Sequence, residues 1–444
     1  MHRPIAAAGS QTDRWRFRGL GSAASIAMIF ALAAPVNSLA DESGAASQNP
    51  LGASNSAKSG DPATTQPKDD VASLIKKLGD DLFAVREAAA NQLAKNGIAA
   101  RPQLMMALSS SDAEVRFRAR HILAVVVEAD FQKRLAAFSA DIDGKQNLSM
   151  PAWTAFKRVA GGDPAARDVF VEMQQSESTL LEAYEEGPKA AAEMLRMRAA
   201  SEPTVNVGRG RTVVQPTVSN LGSILTWLLV VSDPDVPLSD DITAYAIQLP
   251  RKKIIQEAAL NSSHDTNPQR EVCRKVLGRW MQRNDLASPL MMQNLIYAAE
   301  FNLKEGVTPA AAVLKMQQSP ANFKSMALLI IQRFGTKEHL PLAQALLEDH
   351  QLCFDGVGNN QPTQVQLRDV ALVTTIVLSE QDPTKFGFDH FVPLGHSLPN
   401  LNTIAFASDT DRQAAFQKWQ EWQAGQRQAM GEKPASKSGS EKTE

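Results

Sequence analysis

The sequence predicts an all-α chain, an α-solenoid-like array of helix pairs with flexible N- and C-terminal tails. Three observations carry that prediction. A block of about 30 residues recurs in register after position 70. Apolar residues keep helical spacing through most of the remaining chain. Strand-like alternation is scarce, and Val205–Val214 is the best stretch of it. The span between the two tails is too long for one simple core, so two lobes or an extended array is expected.

The chain opens with Arg3, Arg14, Arg16 and Arg18, followed by an apolar run from Leu20 to Ala34 and the triplet Ser38-Leu39-Ala40. Basic region, short apolar region and small-x-small site form the pattern of a secretory leader, predicted over 1–40 with cleavage after Ala40. The run is about 15 residues and rich in Ala and Ser, against about 20 strongly apolar residues for a membrane span. Cleavage is therefore favoured over an uncleaved anchor, and the mature chain is expected in the periplasm or outside the cell. Residues 41–69 are Ser, Ala, Asn, Gly, Thr and Pro with a single large aliphatic, Leu51. That composition cannot bury enough surface to offset its ordering entropy and reads as a tether. Residues 426–444 read as a tail of the same kind.

Charge narrows the partners. The chain is formally −2, and residues 1–40 carry four arginines against one aspartate, which leaves the mature part at −5. A mildly acidic protein has no global electrostatic reason to bind nucleic acid or anionic lipid, so a protein partner is expected and nucleic acid is not. No membrane span is read in the mature chain. Cys273 and Cys353 are the only cysteines. In an exported protein they could pair, yet both have apolar neighbours, and two buried unreactive thiols remain the other reading.

Residues 70–139 hold the repeat and a long exit helix. Leu74 and Leu104, Leu78 and Leu108, Val85 and Val115, Arg86 and Arg116, Ala89 and Ala119, and Leu93 and Leu123 all differ by 30. Leu74 and Leu78 share one side of a first helix, while Val85, Ala89 and Leu93 share one side of a second. Each copy is thus a helix, an acidic turn and a returning helix, with small Ala89 and Ala119 allowing close approach. Ser111 with Glu114 reads as a capping box for the second copy's second helix. That helix is expected to run on through Val126, Phe131, Leu135 and Phe138.

The cores Val85-Arg86-Glu87-Ala88-Ala89 and Val115-Arg116-Phe117-Arg118-Ala119, with Asp81 and Asp112 upstream, resemble the short, roughly 30-residue class of HEAT repeat. The resemblance is clear over 70–124. It implies that Arg86 and Arg116 pair with the acidic turn of a neighbouring repeat, a structural role. Other segments resemble exported bacterial proteins carrying HEAT-like repeats, and that likeness spans most of residues 70–425. They are Pro151–Phe156, Ala166–Gln174, Arg368–Ala371, Gln381–Phe388 and Phe416–Trp419. It implies no activity, and the likeness of such repeats to those of bilin lyases implies none either.

Two repeats do not bury a continuous core alone, so later elements must supply partners. Residues 140–200 read as a helical segment, with Asp163 as cap and Pro164 at the first helical position of a helix. Residues 201–216, holding Pro203, Gly208, Gly210 and Pro216, read as a linker or loop. Residues 217–425 read as a C-terminal helical domain of degenerate repeats. Within it, Leu221–Val231 is a short core helix, and Ser319-Pro320 caps a helix with a Met326, Leu329, Ile330, Phe334 stripe. A turn at 335–338 precedes a return helix over Leu340–Leu347, and Gln366–Ala371 leads a helix to Leu378. Trp153, Trp227, Trp280, Trp419 and Trp422 read as packing residues.

Candidate chemistry is thin. Asp141-Ile142-Asp143-Gly144 has the middle of a calcium loop, but Ser139 and Met150 stand where a carboxylate and a bidentate glutamate are needed, so it reads as a turn. Asp389, His390 and His396 form the one close group of two histidines with a carboxylate, with no third His or Cys near in sequence and no rigid frame of the kind zinc needs. His121, His264, His339 and His350 could join it only through folding. Gly208-Arg209-Gly210-Arg211 is a short basic loop without a following helix start. The Gly-x-Ser-x-Gly elbow, both glycine-rich phosphate motifs and His-Glu-x-x-His are missing. The expectation is an exported protein–protein interaction or scaffold module with no cofactor and no catalysis. The alternative is a helical-scaffold enzyme or a ligand- or metal-binding protein, its site assembled near Asp389, His390 and His396.

Overall fold

A computed structural model describes residues 70–206, 212–214, 216–260, 267–283, 288–358, 361–393 and 401–429. All of them belong to the unit Asp69–Glu444. The leader, the cleavage site, the tether, the Gly208–Arg211 loop and His396 lie outside the described residues.

The described chain is mostly helical. Helices α1 (Val71–Lys77), α2 (Phe83–Asn96), α3 (Arg101–Ala107) and α4 (Ala113–Ala140) form two successive helix pairs. Their turns are built alike at the 30-residue offset. The Leu82 N–H donates to Asp80 Oδ1 at 2.9 Å, and the Asp112 N–H donates to Ser110 Oγ at 3.2 Å. Short polar side chains that capture an N–H two residues on hold such turns without a regular ladder. The cap of α4 is Asp112, whose Oδ1 accepts from the Glu114 and Val115 N–H groups at 2.8 and 3.4 Å. This corrects the Ser111–Glu114 capping box: Asp112 is the residue with extended dihedrals at the helix edge, so its carboxylate faces the free N–H groups.

A small core lies between these pairs, built from Leu74, Leu78, Ala89, Leu93, Leu104, Val115, Ala119, Ile122 and Val126 with their neighbours. A second, much larger core begins on the same helix with Phe131, Leu135 and Phe138. With 28 residues, α4 is about 42 Å long and spans both. Val127, Glu128 and Ala129 are exposed between the two stretches.

The larger core is assembled around α8 (Leu221–Val231), every residue of which is buried. A helix apolar on all sides belongs inside, and this one is packed from several directions. It lies against α6 (Pro164–Glu186) and α11 (Gln269–Met281). At Gly222 the approach to α6 is so close that a Cβ would stand 2.4 Å from the Glu172 carbonyl oxygen. Around this layer sit α5 (Trp153–Ala160), α7 (Pro188–Ala200), α9 (Asp240–Ala246), α10 (Lys253–Ala259), α12 (Ser288–Glu300) and α13 (Val307–Lys315). Asp163 caps α6 by accepting from the Ala166 N–H at 2.9 Å, with Pro164 in the first turn.

The C-terminal part contains α14 (Ala321–Phe334), α15 (Leu340–Gln344), α16 (Leu367–Leu378) and α17 (Asp409–Ala429). Four details there differ from the sequence expectation. The start of α14 has Pro320 as N-cap and no side-chain cap, because proline offers no acceptor. Its apolar surface is not a stripe: Ala327, Leu328 and Ile331 are buried with Met326, Leu329 and Ile330, since α13 and α16 both cover it. The return helix stops at Gln344, short of Leu347, and α17 runs to Ala429, past the tail boundary at 426. Two short strand pairs also appear, one on the Val205–Val214 candidate and one where no strand is expected. The hairpin β3 (Leu352–Gly358) and β4 (Gln361–Gln366) interrupts the helical domain, and β1 (Thr204–Asn206) pairs with β2 (Thr212–Val214) inside the expected linker. Both are antiparallel ribbons whose pairing supplies the backbone partners that a helix would otherwise provide.

The tryptophans join aromatic groups. Trp227 meets Tyr245 at 4.1 Å between ring centroids, and Trp153 sits among Phe138, Phe156 and Phe170. Trp419 and Trp422 stack at 4.7 Å with an interplanar angle of 19°, Phe386 standing edge-on to both.

Candidate functional site

Of the repeat positions, Leu74, Leu78, Ala89, Leu93, Leu104, Val115 and Ala119 are buried, while Val85, Leu108 and Leu123 are half-buried. The arginines have a specific geometry. Arg86 Nη1 donates to the Asp80 and Asp81 carbonyls at 2.7 and 3.0 Å. Arg116 Nη1 donates to the Ser110 and Ser111 carbonyls at 2.7 and 2.8 Å. Each guanidinium therefore closes the turn of its own pair, and for Arg116 this corrects the expected pairing with an acidic neighbour. A guanidinium with several N–H groups suits two neighbouring carbonyls of a turn between helices, which no regular ladder satisfies. Arg86 does reach across, with Nε 3.4 Å from Glu114 Oε1.

That contact belongs to a ladder across α2 and α4. Glu114 also accepts from Arg118 Nε at 2.6 Å, and Arg118 Nη1 lies 2.6 Å from Glu87 Oε1. Hydrogen bonds to both carboxylates raise the Arg118 pKa. The guanidiniums of Arg86 and Arg118 both sit over the Phe83 ring, 5.7 and 5.9 Å from its centroid. Phe83 and Phe117 are nonetheless 63 and 69% exposed. Helical spacing places Phe83 beside Arg86 and Glu87, and Phe117 beside Glu114 and in line with His121 and Val125. Two largely exposed phenyl rings thus lie on the same two helices as an internally neutralised row of charges.

The remaining sequence candidates are dispersed. Asp141 is buried, and its Oδ1 accepts from the Lys145 and Gln146 N–H groups at 2.9 and 3.2 Å. Its Oδ2 lies 3.5 Å from Arg167 Nη2, and that guanidinium also donates to the Phe138 carbonyl and covers the Phe138 ring at 4.0 Å. Both carboxylate oxygens thus point at protein donors, and Gly144 takes φ +65° at the bend. Asp389 and His390 are exposed, and among the described residues no three His, Cys, Asp or Glu side chains converge as a metal set. Cys273 and Cys353 are free thiols, the first buried on α11 and the second on β3 donating to the Val365 carbonyl. Burial pushes both thiols up to about 12.

A groove along the outer side of α11 has no counterpart among the sequence candidates. Its larger compartment, of about 610 Å³, is lined by α5, by Tyr184 of α6, by the loop after α8, by Lys275 and Arg279 of α11 and by Glu305. A second compartment of about 310 Å³ shares Lys275 and Glu305 with the first and continues past Arg274 toward Phe334. The partition between them exists because of Gly278, where a Cβ would stand 2.8 Å from Glu305 Cδ. A glycine in mid-helix costs about 1 kcal/mol, and here it provides the slot in which the Glu305 side chain lies. That glycine is the one local signal of the groove.

The wall is held rigidly. Tyr184 donates its hydroxyl to Asp233 Oδ2 at 2.7 Å, and Asp233 Oδ1 accepts from the Asp235 N–H at 3.0 Å. The buried Arg283 donates to the Val231, Asp233 and Val236 carbonyls and ties the loop to the end of α8. Burial, and then the Asp233 carboxylate, raise the Tyr184 pKa, while the charges of Arg158 and Arg279 oppose that shift. Lys275 Nζ donates to the Ala160 carbonyl and Arg274 Nη2 to the Asn302 carbonyl. Among the described residues, the side chains of Arg158, Arg279, Asp235 and Glu305 make no hydrogen bond or ion pair. The groove can present both donors and acceptors.

No family model, curated protein or solved structure matches the chain.

Proposed function

We propose that this chain is an exported, non-catalytic interaction protein whose N-terminal helix pairs, read as HEAT-like repeats stacked as in a solenoid, dock a protein partner. The observation that carries this reading is the α2/α4 face. Phe83 and Phe117 stand largely in water on the two helices that carry the Arg86–Glu114–Arg118–Glu87 ladder. Among the described residues, most of the exposed large apolar side chains fall between Leu82 and Val127. Each phenyl ring left in water forgoes about 2–3 kcal/mol that a partner surface would recover. Such an apolar patch with an aromatic–arginine centre has the composition of an interface. The leader pattern supports export, and no described helix is long and apolar enough to cross a membrane.

The test is capture and cross-linking of an envelope extract with residues 41–444, wild type against Phe83→Ser with Phe117→Ser. The comparison variant carries Ile142→Ser with Val392→Ser, equally exposed apolar positions elsewhere. A protein retained by wild type and by the comparison variant, but lost with the phenylalanine pair, supports the reading. Equal retention by all three overturns it. N-terminal sequencing of the exported chain tests cleavage after Ala40.

A further inference from the structure

We propose that the groove along α11 binds an extended polypeptide segment carrying both acidic and basic side chains, at a site separate from the α2/α4 face. Shape comes first. The two compartments lie end to end and share the Lys275 and Glu305 walls. From Glu271 to Gln282 the lining runs along α11 for about 16 Å. That length matches about five residues of extended chain and exceeds a compact metabolite.

Charge comes second. Charges of both signs in the groove lining have no protein partner. The Arg158 and Arg279 guanidiniums lie near Tyr184, and the carboxylates of Asp235 and Glu305 line the same compartment unpaired. An all-acidic or all-basic ligand would satisfy one pair and be repelled by the other. A neutral glycan could hydrogen-bond these groups but would bring a counter-charge to none of them. A peptide with charges of both signs can meet each of them. Arginine forks in particular match carboxylates in bidentate geometry.

Preorganisation comes third. Asp233 is fixed by Tyr184, by its own turn and by Arg283, so the loop that bears Asp235 is in place before any ligand arrives. Gly278 likewise leaves room for the Glu305 side chain to lie against α11 without displacing it. A site that is already formed loses little to ordering when it is filled.

The experiment uses the mature full chain and fluorescein-labelled pentapeptides: alternating Glu and Lys, all Glu, all Lys, and Gly/Ser. Anisotropy is read with each, and chito-oligosaccharide is added as competitor. The alternating peptide is expected to bind tightest, with Arg158→Gln plus Arg279→Gln weakening it about tenfold. Both arginines are exposed and unpartnered, so the double variant should keep the wild-type melting curve. A second variant, Asp235→Lys, should move the preference toward the all-Glu peptide. The proposal is overturned if no peptide binds at millimolar concentration, or if the Gly/Ser peptide binds as well as the alternating one. Displacement by the oligosaccharide, or indifference to both variants, overturns it equally.

Discussion

Replacing Arg412 by Met should undock α17 from α16, and the loss should depend on pH. Asp369 is fully buried at the start of α16 and Arg412 is 6% exposed on α17. Arg412 Nε donates to Asp369 Oδ1 at 2.9 Å, while Oδ2 accepts from the Gln366 N–H at 2.9 Å. Arg412 also contacts Asp409 and the Gln364 carbonyl. Burial raises the Asp369 pKa above the ordinary carboxylate value, and the Gln366 N–H and the Arg412 cation oppose that shift. Methionine keeps most of the side chain's length and removes the cation, leaving a buried carboxylate without its counter-charge. Breaking a buried pair from one side costs about 3–5 kcal/mol.

The sign of the pH dependence comes from the raised pKa. The native state holds the Asp369 proton more tightly than the unfolded chain does. Its contribution to stability is therefore present at low pH and lost as pH rises through the folded pKa. Without Arg412 that pKa moves further up, so the variant's deficit is full near neutrality and shrinks as the pH falls through the new value. Urea unfolding monitored by tryptophan fluorescence reads this directly, because Trp419 and Trp422 lie on α17 against Phe386. The deficit should exceed about 3 kcal/mol near neutrality and shrink as the pH is lowered. Adding Asp369→Asn should restore more than half of it near neutrality. A deficit under about 1 kcal/mol, or one unchanged on acidification, would refute the argument.

The packing sets two further outcomes. Gly222→Ala puts a methyl 2.4 Å from the Glu172 carbonyl oxygen and should destabilise by about 1–3 kcal/mol, measured by urea titration, whereas Gly425→Ala, which meets nothing within 4 Å, should not. Cys273 and Cys353, with thiols pushed up to about 12, should resist iodoacetamide at mildly alkaline pH in the native protein and both react once it is unfolded in urea.

The chain's local structure is readable in its sequence because its signals are themselves local. The Asp163-Pro164 helix start and the apolar Leu221–Val231 run lie on the helices they specify, and the 30-residue offset relates one helix pair to the next. Ser111 misses the true cap by one residue, since serine and aspartate are both good caps and only the backbone angles at Asp112 separate them. The β3–β4 hairpin gives no such signal because its order comes from packing against α14, not from alternation in the strands.

The tertiary structure decided which partners are brought together from afar. Arg167 finds Asp141 and the Phe138 carbonyl, and Arg412 finds Asp369 43 positions away. The groove joins α5, the end of α6, the loop after α8 and α11, none of which carries a motif alone. A helix's periodicity reveals which side is apolar, and it carries no information on what will cover that side. The register of packed helices is set by the fit of whole surfaces, such as Gly222 on α6 and Gly278 beneath Glu305, and such fits are absent from any short window of sequence.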